Sequence, residues 1–529
     1  MKKIFTLIPT LFVATTLLAQ SPQTNSDAMT QLRKFNQFYS YLNGSYVEEV
    51  DMESLVEKAI VEMLLELDPH SAYIDAEDMK SVNESFEGEF SGIGVEFNLL
   101  KDTVIVVNTI VGAPAESVGV MPNDRIIAVD GEDIIGISQN KVPTYLRGKR
   151  GSKVAIEVVR HGETEPLNFI IERDNIPINS VDAAYMLNES TGYIKINRFG
   201  HTTFSEFYDA YKSMKPLETL VLDLRGNGGG LLNQAIDLAT FFLPRGALIV
   251  STEGRKQDNV RMSAYRNGEF TLGNVIVLID EDSASASEIV AGAIQDWDRG
   301  IVLGRPSFGK GLVQRQFELL DGSSARITVA RYHTPTGRVI QRPYTEGDAK
   351  GYYERHYARY SNVDSLAADS VDRPIYKTLR LGRTVYGGGG ITPDIIVESD
   401  TTAISPYYIS LIRQSVVNEF VISYLDQNRD AMIANYPTFE LYNANFNVDD
   451  TILNSLMELG DKKGIERNEY TVDDFRDIAQ VNMKALLAQK LFSTTEFYKV
   501  VNENNNTIFK ELQDLLNNWD SRKAEVFGE

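Results

Sequence analysis

The chain of 529 residues contains no cysteine. No disulfide can form and no thiol is available for lipidation, so an exported chain of this composition reaches stability through its apolar cores. Cationic side chains are in deficit, with 52 Lys and Arg against 74 Asp and Glu, for a net charge of −22. That sign argues against nucleic acid or an anionic membrane as partner, because both demand a basic face. The acidity accounts for solubility and names no function. Long apolar runs are scarce: beyond the N-terminus none approaches the roughly 18 residues that a membrane span requires, so no span is expected. Histidines number only five, and no internal repeat is evident. What the chain does have is length and a 43% apolar content, enough for roughly three or four domains with real cores.

Residues 1–19 read as a secretory signal, with Lys2 and Lys3, an apolar stretch over residues 4–18 interrupted by Pro9, and the small Ala19 at the end. The expectation is an exported protein, periplasmic or otherwise extracytoplasmic. Residues 20–86 are helical in pattern, with Leu55, Ala59 and Met63 on one stripe and a stop at Asp68-Pro69. His70, just beyond, reads as a turn residue capping that helix.

The chemistry concentrates in residues 280–314. An apolar strand over residues 275–279 leads into Ser283-Ala284-Ser285-Ala286-Ser287-Glu288, a composition that starts a helix, and Ile289, Val290, Ala293, Ile294 and Trp297 follow at helical spacing. A serine at a helix N-terminus sits among free N–H groups at the positive end of the dipole, which suits an oxyanion beside a nucleophilic hydroxyl. A second strand over residues 301–303 leads to Ser307-Phe308-Gly309-Lys310-Gly311. A lysine walled by glycine and apolar residues loses hydration of its charged form and becomes a candidate base. Gly304 and Gly309-Lys310 nearly spell a phosphate loop, but Gly311 stands where the magnesium-holding Ser or Thr belongs, and a strand pattern follows.

Together these motifs, S-A-S-A-S-E with a later Q-D, then F-G-K-G-x-V-Q, resemble the carboxyl-terminal processing (tail-specific) serine peptidases. The resemblance implies a Ser-Lys dyad of Ser285 and Lys310, with Gln314 orienting the lysine and Asp296 giving structural support. It also implies that the loop D-L-R-x-N-x-G-G contributes an oxyanion donor, Gly228 or Gly229, opposite the N–H of Ala286. Residues 67–73 resemble the signature that precedes the PDZ module in this family.

Residues 87–173 read as a PDZ domain, from the glycine-rich entry Ser91-Gly92-Ile93-Gly94-Val95 through Gly112-Ala113-Pro114-Ala115 and the turn Val129-Asp130-Gly131 to a strand over residues 154–159. In such domains the glycine loop offers N–H groups to a peptide's terminal carboxylate while the peptide adds a strand to the sheet edge. Arg147, in Leu146-Arg147-Gly148, matches a family position expected to couple this domain to the protease core.

Residues 174–399 form the expected peptidase core, where strands alternate with helices in an α/β pattern; the family implies a crotonase-like one. Residues 341–383 are polar, tyrosine-rich and without clear periodicity, an expected insertion or loop. Residues 400–529 read as a helical C-terminal domain, opened by Ser405-Pro406 and containing the capping box Ser493-x-x-Glu496. The fold class expected is thus multidomain, α/β and α+β, with a PDZ domain and helical terminal regions. Those terminal regions are the candidates for a homodimer contact, although amphipathic helices more often pack on their own chain.

The function expected is an exported, ATP-independent serine endopeptidase that recognises protein C-termini, with no metal or organic cofactor implied. Two other readings compete. A Ser-His-Asp hydrolase would draw on His201 or His333, and a catalytically silent PDZ scaffold would have no use for Ser285 and Lys310 together.

Overall fold

The computed structural model describes residues 24–358, 373–398, 405–504 and 507–528. The signal reading of residues 1–19 lies outside them. The chain divides into two compact units, residues 1–63 and 64–529. The first holds α1 (Thr24–Ser45) and most of α2 (Met52–Leu65).

The second unit opens with a strand that the helical pattern of residues 20–86 does not anticipate, β1 (Ala72–Ile74), which pairs antiparallel with β18 (Ser324–His333). The helix α3 (Ala76–Glu87) follows, capped by the Asp75 side chain on the Asp78 N–H and ended by Gly88 at φ 76°. Next, β2 (Glu89–Gly92) pairs antiparallel with β9 (Asp174–Pro177). This two-stranded ribbon carries the chain out to the PDZ domain and back.

Within the PDZ domain β3 (Val95–Leu100), β4 (Thr103–Thr109), β5 (Arg125–Val129), β7 (Lys153–Val159) and β8 (Leu167–Glu172) form a sheet in the order β3-β4-β5-β7-β8, with β6 (Glu132–Asp133) on β5. The turn between β5 and β6 takes φ 50° at Asp130 and φ 84° at Gly131, as a tight hairpin of this sequence should. The short helices α4 (Pro114–Ser117) and α5 (Val142–Leu146) cover a core of Ile93, Val104, Val106, Ile126, Ile156 and Ile171. β3 lies at the end of the sheet order, and among the described residues no strand pairs with its outer edge.

The region expected to be the peptidase core is built on a six-stranded sheet. β10 (Val181–Met186) lies antiparallel at one edge, and β11 (Thr191–Ile196), β12 (Thr219–Asp223), β15 (Asn274–Ile279), β16 (Ile301–Gly304) and β21 (Ile395–Ile396) follow in parallel. Its central strands are buried on both faces, which is why they read as unbroken apolar runs. Leu220, Leu222, Val277 and Ile279 meet a cluster contributed to by α7 (Leu232–Phe242) and α8 (Ala286–Asp296). The alternate residues Val221, Ile276 and Leu278 meet Ile508, Phe509, Leu512 and Leu515 of the helix Thr507–Asn517. A helix from the far C-terminus therefore completes the second layer of the core. A further helix, α6 (Thr203–Ser213), packs beside β11.

A second, antiparallel sheet joins β1, β18, β13 (Leu248–Gly254) and β14 (Gln257–Ser263), and β17 (Leu312–Glu318) pairs along β18. The stretch without clear periodicity contains the helix α9 (Ala349–Ala358), whose Tyr352 is buried; residues 359–372 lie outside the described ones. Beyond them β19 (Ile375–Lys377) and β20 (Thr384–Tyr386) form an antiparallel pair. The C-terminal helices have their own core around Tyr408, Leu425, Leu456 and Met483. Ser405 caps the first of them, Pro406–Arg413, by accepting from the Tyr408 N–H at 3.1 Å. The expected continuous spacing Ile412, Val416, Phe420 breaks, because Ser415 takes φ 58° and starts a new helix, Val416–Asn435. That second helix lies against the PDZ sheet: Ile422 packs with Leu100, Ile105 and Val107, and Asp426 pairs with Arg125 at 2.6 Å.

Candidate active site

The C-terminal ends of parallel strands are where an α/β sheet exposes its loops, and three of those loops converge here. After β15 the chain turns through Ser283-Ala284-Ser285 into α8. Ser285 is the N-cap residue, at φ 54° and ψ −110°, a conformation that costs a non-glycine residue about 1–3 kcal/mol and marks sites held in place by their surroundings. The three alternating serines separate by role. Ser283 Oγ donates to the Leu224 carbonyl at 2.9 Å and Ser287 Oγ to the Asn227 carbonyl at 2.9 Å, both buried. Ser285 instead lines an open cleft of about 450 Å3.

Lys310 lines the same cleft, as do Gln314, Gly228 and Gly229. Burial lowers the lysine's pKa below its ordinary value, the charge of Arg326 lowers it further, and Glu288 and Asp68 oppose the shift. Among the described residues its ammonium holds no hydrogen-bond acceptor. The Gln314 side-chain amide donates to the His70 carbonyl, which ties the cleft wall to the segment before β1.

Glu288, the last residue of the S-A-S-A-S-E motif, to which the sequence assigns no role beyond the helix start, joins the two halves. Its buried carboxylate accepts from the Ser285 N–H at 2.8 Å and the Lys310 N–H at 2.8 Å through one oxygen, and from Ser307 Oγ at 2.5 Å and the Gly309 N–H at 2.7 Å through the other. One side chain thus sets the backbones of Ser285 and Lys310 relative to each other. Desolvation still raises its pKa, outweighing the donors that favour the anion. The signal is present as the Ser285-x-x-Glu288 spacing of a capping box. Gly309 supports this loop at φ 84°, where a Cβ would come within 2.5 Å of the Arg342 side chain.

The loop after β12 approaches Ser285 from the other side. A Cβ on Gly229, at φ 99°, would lie 2.8 Å from Ser285 Cβ and 3.0 Å from the Ala286 nitrogen, so only glycine allows the contact. The Gly229 N–H donates to Asn227 Oδ1 at 2.9 Å, and Asn227 Nδ2 donates to the Ile196 carbonyl at 3.0 Å. Ala286 is the first residue of α8, where an N–H has no partner within the helix. Below the loop Asp223 is fully buried and accepts from Tyr193 Oη at 2.5 Å and Arg225 Nη2 at 2.6 Å; the cations beside it hold its carboxyl well below the usual range.

Histidine is not among the residues that line the cleft. His333 Nδ1 meets the Gly337 carbonyl at 3.1 Å and its Nε2 lies 3.4 Å from Glu253, while His201 is exposed. His70 departs from the expected capping role. Asp68, not His70, caps the turn, accepting from the His70 and Ser71 N–H groups at 2.8 and 2.9 Å. The His70 ring is buried against Phe308 and Tyr352, and burial together with the Lys310 charge lowers its pKa to about 4. Tyr332 carries no motif signal either: it lines the cleft with Ser285, and burial pushes its pKa up to about 12. Asp296 sits inside α8, fully buried, paired with Arg338 at 2.7 Å and accepting from Thr336.

In the PDZ domain, Ser91 and Gly92 end β2, and Ile93 and Gly94 link it to β3. Gly94 takes φ 77°, with Ala113 where a Cβ would go, and the Ser91 hydroxyl is buried without a partner among the described residues. Arg147 pairs with Glu84 of α3 at 2.5 Å and lies over the Phe90 ring at 4.2 Å. Two residues past Glu84, Phe86 lines the same cleft as Ser285 and Lys310.

Four stretches of the chain match known families: residues 190–350 peptidase family S41, residues 91–171 the PDZ domain, residues 12–78 the activating protease CtpB N-terminal domain, and residues 407–493 a family of unknown function. A carboxy-terminal-processing protease of Bartonella bacilliformis is 39% identical over 351 residues, 64% of this chain and 80% of that protein. The carboxy-terminal processing protease CtpA of Bacillus subtilis is 35% identical over 338 residues, 63% of this chain and 72% of that one. Among solved structures, a photosystem II D1 C-terminal processing protease is 26% identical with a TM-score of 0.37, covering 72% of this chain and 89% of its own.

Proposed function

The chain belongs to peptidase family S41 as a carboxyl-terminal processing serine protease with a PDZ domain, and from that premise we propose that Ser285 and Lys310 form its catalytic dyad. The carrying observation is that Ser285, in a strained N-cap conformation, and a desolvated Lys310 line one cleft with their backbones held by the same Glu288 carboxylate.

The chemistry follows from the surroundings. Neutral Lys310 removes the proton from Ser285 Oγ as that oxygen attacks the scissile carbonyl, then delivers it to the leaving amine. The same lysine activates the water that hydrolyses the acyl-enzyme. The developing oxyanion lies against the N–H groups of Ala286 and Gly228, fixed donors that need no reorganisation at the moment of reaction, whereas the Gly229 N–H is already taken by Asn227 Oδ1. Gln314 fixes the cleft wall beside the lysine through its bond to His70.

Substrates are polypeptides with an accessible C-terminus. The tail adds a strand to the outer edge of β3 and places its terminal carboxylate at the loop of Ser91, Gly92, Ile93 and Gly94, where the unpartnered Ser91 hydroxyl offers a donor. Arg147 relays occupancy to the core through Glu84 and the cleft residue Phe86; such coupling requires only that its contacts differ between bound and free states. Export rests on the basic, apolar, small-residue order of residues 1–19.

The test incubates the mature protein and its Ser285→Ala form with unstructured polypeptides carrying apolar or charged C-termini, with mass spectrometry of the products. Cleavage by the first and not the second is expected. Equal cleavage by both rejects Ser285 as nucleophile.

A further inference from the structure

The protein carries a large excess of acid, yet the residues lining the active-site cleft include two cations, Lys310 and Arg326, and no Asp or Glu. Several arginines around the core are neutralised, Arg225 by Asp223, Arg305 by Glu281, Arg338 by Asp296, Arg383 by Asp298 and Asp394, while Arg299 is held by the carbonyls of Phe242, Phe270 and Gly273. Arg326 is different. It is partly buried on β18, and among the described residues it holds no carboxylate. Burial disfavours its charged form and no neighbouring acid acts in the opposite direction.

A guanidinium in this position is a fork of donors with a planar match to carboxylate, held beside a second cation and short of hydration. Its place on the strand tells where it would act. Arg326 and Tyr332 are six residues apart on β18, and although the strand bulges between them both line the cleft. Tyr332 lines the cleft together with Ser285, and six residues of strand span about 20 Å at most, at ~3.3 Å per residue. Gln316, the register partner of Arg326 on β17, lines the same cleft. An extended polypeptide with its scissile bond at Ser285 would therefore run past Arg326 within a few residues.

We propose that Arg326 is a specificity-determining residue whose guanidinium pairs with a substrate carboxylate lying in the cleft a few residues from the scissile bond. This deepens the active-site reading and rests on it. The carboxylate comes either from an acidic side chain or from a chain end reaching that far. Neutralisation of Arg326 by the substrate offsets the uncompensated charge of the free enzyme, so the preference originates in the protein's own electrostatics.

The experiment uses the full chain and a series of quenched-fluorescence peptides in which a single Glu, or its neutral counterpart Gln, is moved stepwise along both sides of the scissile bond. A second series ends at each of those positions as free acid or amide. At one position the acid is expected to exceed its neutral counterpart in kcat/KM by on the order of 10–100-fold, the usual range for a hydrogen bond to a charged group. Arg326→Gln should erase that ratio, and Arg326→Glu should shift the preference to a peptide with Lys there, which also demonstrates that the variant folds. An advantage confined to the second series identifies the chain end as source. For variants too slow to assay, anisotropy of the same peptides on the Ser285→Ala background reads the same ratios. Acid-to-neutral ratios that are identical in the wild type and in both Arg326 variants at every position overturn the proposal. Ser285-dependent cleavage of the neutral peptides would leave the dyad standing in that case, and its absence would remove both.

Discussion

Replacing Glu288 by Gln is the sharpest test of how this site is assembled. The carboxylate accepts four bonds, two per oxygen, and an amide has only one acceptor oxygen. With its NH2 toward Ser285 and Lys310, two backbone N–H groups that cannot rotate lose their partner. The opposite orientation is less costly: Ser307 can turn its hydroxyl to accept, although it already accepts from the Ile391 N–H at 2.7 Å, and the Gly309 N–H is left unmet. A buried donor deprived of its acceptor costs about 1–3 kcal/mol. Removing a desolvated charge returns part of that, so the expected loss of stability is about 1–3 kcal/mol. Activity should suffer more, because misplacing reacting groups by about 1 Å costs on the order of 100-fold. Glu288→Asp, shorter by one methylene, keeps the charge but withdraws it from part of the set, and should show the same ranking. The assays are thermal unfolding and steady-state cleavage of one peptide. A Glu288→Gln enzyme that melts as the wild type does and keeps kcat within about threefold would refute the argument, since the effect expected from misplacement is far larger.

Other outcomes follow from the same geometry. Ser285→Ala and Lys310→Ala should each abolish proteolysis with the fold intact, Lys310→Arg should be inactive because guanidinium does not deprotonate, and His201→Ala and His333→Ala should keep most activity; measurable cleavage by Lys310→Ala rules out the dyad. Because the Lys310 pKa is depressed in the folded protein, its neutral fraction and hence kcat should rise with pH and approach a plateau below the range of an ordinary lysine; a flat profile from about pH 5 to 9 argues that no such lysine titrates. Amidating a substrate's C-terminus should weaken cleavage, and Arg147→Ala should lower turnover at saturating substrate more than it alters tail binding to the PDZ loop; equal cleavage of amidated and free tails removes the carboxylate from recognition. His70 binds its proton less readily in the folded state, about 4 against 6.5, so its contribution is complete above pH 6.5 and is lost as pH falls toward 4. That lowering corresponds to about 3 kcal/mol, and thermal melts of His70→Asn should show a correspondingly smaller loss between pH 7 and 4.

Several features are legible in the chain itself because their causes are local. The apolar runs of β12 and β15, the small-residue start of α8, the Ser405-Pro406 cap and the Asp130-Gly131 turn each depend on neighbours within a few residues. The strands β13 and β14, the helix α9 and the break at Ser415 are not legible in that way, and an αL residue in a run of good spacing has no periodic signature. The capping-box spacing of Glu288 is present, but spacing alone gives no hint that a cap reaches the lysine loop as well.

By itself the sequence determined the chemistry on offer: a serine at a helix start, a lysine between glycines, a glycine-rich PDZ entry, and no cysteine to do any of the work. Tertiary structure alone decided which of three serines faces the cleft, because Ser283 and Ser287 are turned to carbonyls of a loop some sixty residues away (59 and 60 residues). It also decided that Ser285 and Lys310 share one carboxylate, that Arg147 meets Glu84, that a helix beginning at Thr507 closes the core sheet, and that Arg326 stands in the cleft with no acid among the described residues. The physical reason is the same in each case. Local propensity acts through covalent neighbours, whereas burial, charge pairing and hydrogen-bond partners depend on distances through space that only the packed chain defines.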